Sequence, residues 1–266
     1  MERVICFTYP QNTKSISVTE NRCEQNCAHC GGHYLKHMLP ISAMLESNAT
    51  SFLISGGCKA DGTVPIGQHI SELRALKQGR LYNLHVGLID KAEIVEIAEI
   101  ADCISFDFVG DDETIREVFG IERTVSDYIH CYKELRQKVK VMPHICIGLH
   151  AGEIRGEYQA VELLQELGMD ALTFIIFTPT RGTRYADCLP PKMEEVVKLL
   201  TWARQVCPSI PIHLGCMRPG GHYRSEIDQW AVKIGMDTIV NPTPKAVALA
   251  KELGMSILRT EECCVL

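Results

Sequence analysis

The chain has 266 residues, 46% of them apolar and 23% charged, with a formal net charge of −6, the composition of an ordinary globular protein of one or two domains. No stretch approaches the roughly eighteen apolar residues of a membrane span, and the start, Met1-Glu-Arg-Val-Ile-Cys-Phe7, lacks the basic segment and long apolar core of a secretory signal. The expectation is a cytosolic chain that enters no membrane, and a slightly acidic balance without a Lys or Arg run argues against nucleic acid as a partner.

In chain order, short β-branched runs fall at residues 14–19, 51–55, 83–89, 103–109, 141–149, 171–178, 210–216 and 237–241. Between them apolar residues recur at helical spacing, as in Val125, Tyr128, Ile129, Tyr132 and Leu135, or Met193, Val196, Val197, Leu200 and Ala203. Eight strands alternating with helices imply parallel strands joined by helical crossovers. The expected α/β architecture is a complete eight-stranded β/α barrel of the TIM type, with an open doubly wound sheet as the alternative. Leu167-Gly-Met-Asp170, Ile234-Gly-Met-Asp237 and Leu253-Gly-Met-Ser256 form a weak repeat, in which glycine closes a helix before the next strand. Thr243-Pro244 opens the last helix as N-cap and first-turn proline. No Ser/Gly/Pro linker divides the chain, so residues 1–266 read as a single domain, with 259–266 a cysteine-containing tail.

Thirteen cysteines are an odd number for a reducing compartment, so they are core filler, metal ligands or reactive thiols rather than a disulfide framework. The sharpest feature is Cys23-Glu-Gln-Asn-Cys27-Ala-His-Cys30, directly after the run Ser15 to Thr19. Helical burial does not place three thiols at spacings of four and three in so polar a stretch. Zinc sites usually use two separated pairs of ligands. Three close thiolates suit instead a [4Fe–4S] cluster with three irons held by protein and the fourth open.

The Cys-x3-Cys-x2-Cys spacing after the first strand of a β/α barrel resembles the signature of the radical S-adenosylmethionine superfamily, with His29 where an aromatic residue often stands. The resemblance implies that the open iron chelates the methionine amino and carboxylate groups of S-adenosyl-L-methionine. It also implies that an electron from the cluster generates a 5′-deoxyadenosyl radical, which removes a hydrogen atom from substrate. Further segments resemble the superfamily strand by strand. Ser55-Gly56-Gly57-Cys58 is similar to the Gly-Gly-Glu segment that receives the methionine amino group, with cysteine in the Glu position. Ser105-Phe-Asp107 resembles the ribose contacts of biotin synthase, and Gly148-Leu-His150 the Gly-rich segment against adenine. The implied cofactor set is therefore His29, Ser55, Gly56, Gly57, Ser105, Asp107, Gly148 and His150. Thr178-Pro-Thr-Arg181-Gly-Thr183 resembles the Pro-x-x-Gly-Thr-Pro turn of biotin-synthase-like members, where Arg181 would hold a carboxylate or an iron-bound sulfur.

Of the other cysteines, Cys103, Cys131 and Cys146 read as buried filler, and Cys6, Cys188 and Cys207 receive no role. Cys58, Cys216 in Gly215-Cys-Met-Arg218, and Cys263-Cys264 stand apart. In a barrel the first two project from the rim that carries the triplet, and the tail is expected to fold back over that rim. An auxiliary [4Fe–4S] cluster on Cys58, Cys216 and one or both of Cys263 and Cys264 is therefore expected, as a sulfur source. The alternative is core thiols plus an exposed tail; the terminal Cys-Cys-Val-Leu is a poor prenylation box. Arg218 and Arg224 are candidate carboxylate contacts, while His213 and His222 have no assigned role.

Over the whole chain the resemblance is greatest to the two-component lipoyl synthase proteins. It rests on Phe7-Thr-Tyr-Pro10, Ile16-Ser-Val-Thr19, Gly31-Gly-His-Tyr-Leu35, Ser55-Gly-Gly-Cys58 with Val64-Pro65, Gly215-Cys-Met-Arg-Pro219 and Cys263-Cys264. It implies sulfur insertion into a protein-bound octanoyl chain. The implied partners are an octanoylated lipoyl-carrier protein or domain, a second radical enzyme, and an electron donor such as ferredoxin or flavodoxin. Two other readings stand beside it: a radical rearrangement or C–C bond-forming enzyme without sulfur insertion, and a non-catalytic iron–sulfur or zinc-binding module.

Overall fold

The computed structural model describes residues 3–266. Its strands are β1 (Val4–Thr8), β2 (Thr13–Ser17), β3 (Leu39–Pro40), β4 (Ser51–Ser55), β5 (Leu81–His85), β6 (Cys103–Asp107), β7 (Val141–Ile147), β8 (Leu172–Ile176), β9 (Ile212–Leu214), β10 (Thr238–Val240) and β11 (Ser256–Thr260). The helices are α1 (Ile70–Lys77), α2 (Lys91–Ala98), α3 (Asp112–Thr114), α4 (Val125–Arg136), α5 (Glu157–Leu167), α6 (Met193–Val206), α7 (Gly221–Ile234) and α8 (Pro244–Glu252). Each of the eight expected runs overlaps a strand, and Gly168, Gly235 and Gly254 all take positive φ where the repeat sequence ends a helix. Pro244 begins α8 as expected, although the Thr243 hydroxyl makes no capping bond.

The expected complete eight-stranded barrel does not form. Eleven strands make one sheet in the order β11-β1-β10-β9-β8-β7-β6-β5-β4-β2-β3, and its two edge strands, β11 and β3, do not pair with each other. The cause lies between Thr8 and Thr13. Pro10 has no N–H to offer a ladder, and Tyr9 and Asn12 donate theirs to Thr260 and Glu261 beside β11. A strand ahead of the first expected run is thus kept apart from it: β1 pairs with β10 and β11, whereas β2 pairs with β4 from Thr13↔Ser51 to Ser17↔Ser55. From β4 to β10 the strands lie side by side in sequence order, which is the winding of a barrel and not the reversal of a doubly wound sheet.

Alternation along the strands separates two faces. Phe106 of β6 packs on Tyr128 and Tyr132 of α4, and the Tyr82 hydroxyl of β5 donates to Leu73 of α1, so these side chains form the helix-covered core. The opposite face carries Asn83 and His85, Ser105 and Asp107, and His144, which contact one another. The sheet curls around this polar face: the segment after β11 touches Thr13 of β2, Asn83 of β5 and Lys140 beside β7, which are far apart in the sheet order.

That segment corrects a second expectation. Arg259 and Thr260 belong to β11, and the tail beyond them crosses the ends where the strands start, not the rim that carries the cysteine triplet. Glu262 accepts the hydroxyls of Thr50 and Ser51, Asn12 reaches Glu261 at 3.2 Å, and Lys140 donates to the Val265 carbonyl at 2.7 Å. Val265 is buried with Cys103, Met142 and Ala171, each at or beside a strand start. The tail therefore floors the lumen.

Candidate active site

The triplet lies on the loop after β2, which neighbouring chain segments hold on both sides. Ala28, fully buried between Cys27 and Cys30, donates its N–H to Val118 at 2.7 Å and accepts the Tyr185 N–H at 3.0 Å. The Cys30 and Gly31 N–H groups both close on the Cys27 carbonyl. The turn Thr178 to Thr183 packs on this loop, with the Tyr34 hydroxyl 3.5 Å from Thr180 Oγ1. Arg181 is exposed at its tip.

The three thiols are half-buried and within electrostatic reach of one another. Burial, reinforced by the charges of Cys30 and Cys23, pushes Cys27 up to about 12. Such a thiol ionises only when a cationic centre is bound. Among the described residues, no three His, Cys, Asp or Glu side chains converge where a single metal ion would sit. A cubane cluster makes no such demand, because each thiolate binds a different iron and the sulfurs surround the cluster. The loop also encloses two nitrogen atoms with no hydrogen-bond partner, Gln25 Nε2 and His29 Nδ1. An orphaned amide N–H beside three thiols fits the sulfide acceptors of a cluster, whose hydrogen bonds tune its potential. The residues present therefore fit a three-cysteine [4Fe–4S] group.

The glycine loop after β4 is stitched to the cysteine loop. The Gly57 N–H donates to Thr19 Oγ1 at 2.7 Å, the Glu24 N–H to the Cys58 carbonyl at 2.9 Å, and the Ala60 N–H to the Glu24 carboxylate at 2.9 Å. A Cβ on Gly57 would stand 2.0 Å from the Arg22 carbonyl oxygen and 2.6 Å from Cys23 Cα, so only glycine permits the approach. Cys58 is thereby placed beside the triplet. Burial, then the charges of Cys23 and Cys27, push its thiol up to about 12.

Beyond β7, Gly148 has positive φ and lies against the Pro191 ring; its N–H donates to Glu157 Oε1 at 2.6 Å. Burial raises the Glu157 carboxyl above its ordinary value. His150 is braced by protein at both ring nitrogens, Nδ1 3.3 Å from Thr114 Oγ1 and Nε2 3.2 Å from Arg155 and 3.3 Å from Glu117. It fixes this loop and presents no free nitrogen.

Inside the lumen, Ser105 donates to Asn83 Oδ1 at 3.0 Å, and His85 Nδ1 lies 3.9 Å from Asp107. The Asp107 side chain is 58% exposed, yet burial within the curl raises its pKa, with His144 opposing; the exposure is to a hollow enclosed by protein. Burial holds His85, His144 and His213 down to about 4, so all three rings are neutral near pH 7. His144 Nδ1 lies 3.0 Å from the Met142 carbonyl, which can only accept, so Nδ1 carries the proton and Nε2 is an acceptor. Register partners run Asp107↔His144↔Thr173↔His213↔Thr238, one polar rung across five strands. On it Thr173 Oγ1 and His213 Nδ1 are buried without a partner. Sequence reasoning assigned only Asp107 of this rung; the signal was histidine at the inward parity of strands predicted separately.

The structure divides the four cysteines that the sequence grouped as auxiliary ligands. Cys263 is near enough to Cys216 to raise its pKa, and both raise that of Cys264, whereas Cys58 is coupled to the triplet. Asn83 Nδ2 lies 3.6 Å from Cys263 Sγ, and a hydrogen bond from the Cys264 thiol draws Cys263 down to about 7. Arg218 lies off the lumen altogether. Its guanidinium is fully buried, paired with Asp228 at 2.7 Å and donating to the Gly215 and Val240 carbonyls, so it ties the ends of β9 and β10 to α7 and reaches no ligand.

No protein-family model matches the chain, and no curated protein is recognisably similar to it in sequence. Solved structures share its fold. Methylornithine synthase (PylB) is 13% identical with a TM-score of 0.67, over 97% of this chain and 84% of that one. The FeFe-hydrogenase maturase HydG from Carboxydothermus hydrogenoformans is 14% identical with a TM-score of 0.66, over 89% of this chain and 58% of that one. Coproporphyrinogen III oxidase (HemN) from Escherichia coli, described as a radical SAM enzyme, is 12% identical with a TM-score of 0.52, over 78% of this chain and 52% of that one. The chain thus spans little more than half the length of the last two. At these identities the likeness is one of fold, and chemistry must be argued from the site.

Proposed function

We propose that the protein is a radical S-adenosylmethionine iron–sulfur enzyme. The observation that carries this reading is the loop of Cys23, Cys27 and Cys30, pinned through Ala28 and stitched through Gly57 at the mouth of a polar lumen. Cys23, Cys27 and Cys30 would hold the [4Fe–4S] cluster, which with S-adenosylmethionine supplies hydrogen-atom abstraction from an unactivated carbon. Ser55, Gly56 and Gly57 line the approach to the triplet, and Asp107 offers a carboxylate to hydroxyl or amine groups from the wall. Gly148 shapes the adenine-side loop, which Glu157 holds. His29 is assigned to the cofactor's surroundings through its position in the loop.

The finer reading is a lipoyl synthase component, which inserts sulfur into a protein-bound octanoyl chain and works with a second radical enzyme, an octanoylated carrier protein and a ferredoxin or flavodoxin. It is supported by the electrostatic reach between Cys216, just past β9, and Cys263 and Cys264 of the tail, where a second cluster would be the sulfur source. Anaerobic reconstitution should give about eight irons per chain, and octanoyl peptide should gain sulfur when the partner is present. About four irons, with no sulfur gained, would remove the sulfur-insertion reading and leave the radical one.

A second reading is favoured by the rung of His144, Thr173 and His213, whose free polar atoms suit a hydrogen-bonding substrate better than an alkyl chain. It is a radical rearrangement or C–C bond formation on a small polar molecule. Cofactor cleavage that leaves octanoyl peptide unchanged would favour it.

A further inference from the structure

Three thiolates leave one iron of a four-iron cluster without a protein ligand, and the structure holds the backbone of a fourth cysteine, Cys58, against Cys23, with its thiol within electrostatic reach of all three. Cys58 is not joined to the triplet by sequence. It is brought there by three hydrogen bonds: the Gly57 N–H to the Thr19 hydroxyl, the Glu24 N–H to the Cys58 carbonyl, and the Ala60 N–H to the Glu24 carboxylate. Cys23 Sγ lies 3.8 Å from the Cys58 carbonyl oxygen, and Gly57 leaves no room for even a Cβ against Cys23. Cys58 thus occupies the position next to Cys23 across the loop pair, while Cys216, Cys263 and Cys264 form a separate group. The two glycines before it let the loops close, Gly56 against Val18 and Thr19 and Gly57 against Arg22 and Cys23.

We propose that Cys58 is a displaceable fourth ligand of the triplet's cluster, closing its remaining iron in the cofactor-free protein and yielding that iron to S-adenosylmethionine. In the exchange the iron–sulfur bond to Cys58 breaks, and bonds form to the cofactor's amino nitrogen and carboxylate oxygen. The departing thiolate takes up the one proton that the cofactor's ammonium group must lose to bind, and no electron moves. The device protects a cluster that otherwise loses its unique iron. The inference rests on the radical reading, because it requires the triplet to carry a cluster.

The test compares Cys58 with Cys58→Ala and Cys58→Ser in a full-length chain carrying Cys216→Ala, Cys263→Ala and Cys264→Ala, so that only the triplet's cluster contributes. Each protein is reconstituted anaerobically, its iron counted, and then treated with ferricyanide without S-adenosylmethionine. With Cys58 present the cluster is expected to stay largely intact, whereas both variants give a several-fold larger [3Fe–4S] electron paramagnetic resonance signal. The variants should also show the cofactor-induced spectral change at lower S-adenosylmethionine concentration. Equal [3Fe–4S] yields and equal cofactor titrations, with full iron in all three proteins, would overturn the role of Cys58 and leave the radical reading standing. Failure of the triplet to hold iron at all would overturn both. Should the multiple variant not fold, the same comparison is made on wild type and Cys58→Ala, reading the difference in [3Fe–4S] signal.

Discussion

Thr19 and Gly57 hold the two loops of the candidate centre together: the Thr19 hydroxyl oxygen accepts the Gly57 N–H at 2.7 Å, and the Gly57 α-carbon lies where a methyl would strike the Arg22 carbonyl. Gly57→Ala must push the loops apart. We expect a loss of about 1–3 kcal/mol or more in apo-protein stability and a fall in iron bound after reconstitution. Thr19→Val, which removes one hydrogen bond and leaves the Gly57 N–H unsatisfied, should cost about 1–3 kcal/mol with a smaller loss of iron. Denaturant unfolding and iron assay on the same preparations check both.

Arg218 stands in the sequence as a candidate ligand contact and in the structure as an internal tie to Asp228. Arg218→Met leaves the buried Asp228 carboxylate without its cation, and the expected loss is about 3–5 kcal/mol. Adding Asp228→Leu should recover much of it. A stable single variant that has lost only cofactor affinity would contradict the structural role.

Stability should fall on acidification because His213 is buried and neutral. Its folded pKa is about 4 against an ordinary 6.5, so between those values the unfolded chain binds more protons and stability rises with pH. Across that window His213 contributes up to about 1.4 kcal/mol per pH unit. His213→Asn should therefore reduce the slope of the unfolding free energy measured between pH 4 and 6.5, with His85 and His144 still supplying their share. Glu157 acts in the opposite direction: burial raises its folded pKa, so its penalty grows as pH rises through that value, and Glu157→Gln should remove that part of the slope.

Removing residues 261–266 takes away the lumen floor. The truncated chain should expose Cys103, Met142 and Ala171, speed amide exchange at the starts of β6 and β7, and bind about four irons instead of about eight. Unchanged iron would place the second cluster elsewhere.

Much of this architecture was legible along the chain because each strand and helix carries its own period. The run at 103–109 announced β6, and the spacing of Val125 to Leu135 announced α4. The triplet was legible because three cysteines lie within eight residues. What escaped depends on contacts between distant segments. The separate strand β1, ahead of the first expected run, follows from β11 taking the N–H groups of Tyr9 and Asn12, and no local pattern announces a pairing some 250 residues apart. The tail's position depends on Thr13, Ser51 and Lys140 receiving it. Cys58 and Cys216 looked equivalent as strand-end thiols, and they are separated only by the loop contacts that bring Cys58 to the triplet and by the tail that reaches Cys216. The polar rung was hidden because each histidine, taken singly, is an ordinary inward residue.

The central claim is that Cys23, Cys27 and Cys30 hold a cluster that cleaves S-adenosylmethionine. The direct measurement is the formation of 5′-deoxyadenosine and methionine by the anaerobically reconstituted, dithionite-reduced chain, beside Cys27→Ala. The account predicts equal amounts of both products from wild type and none above background from the variant. Wild type that binds at least four irons, holds the cofactor and still forms no 5′-deoxyadenosine would contradict it.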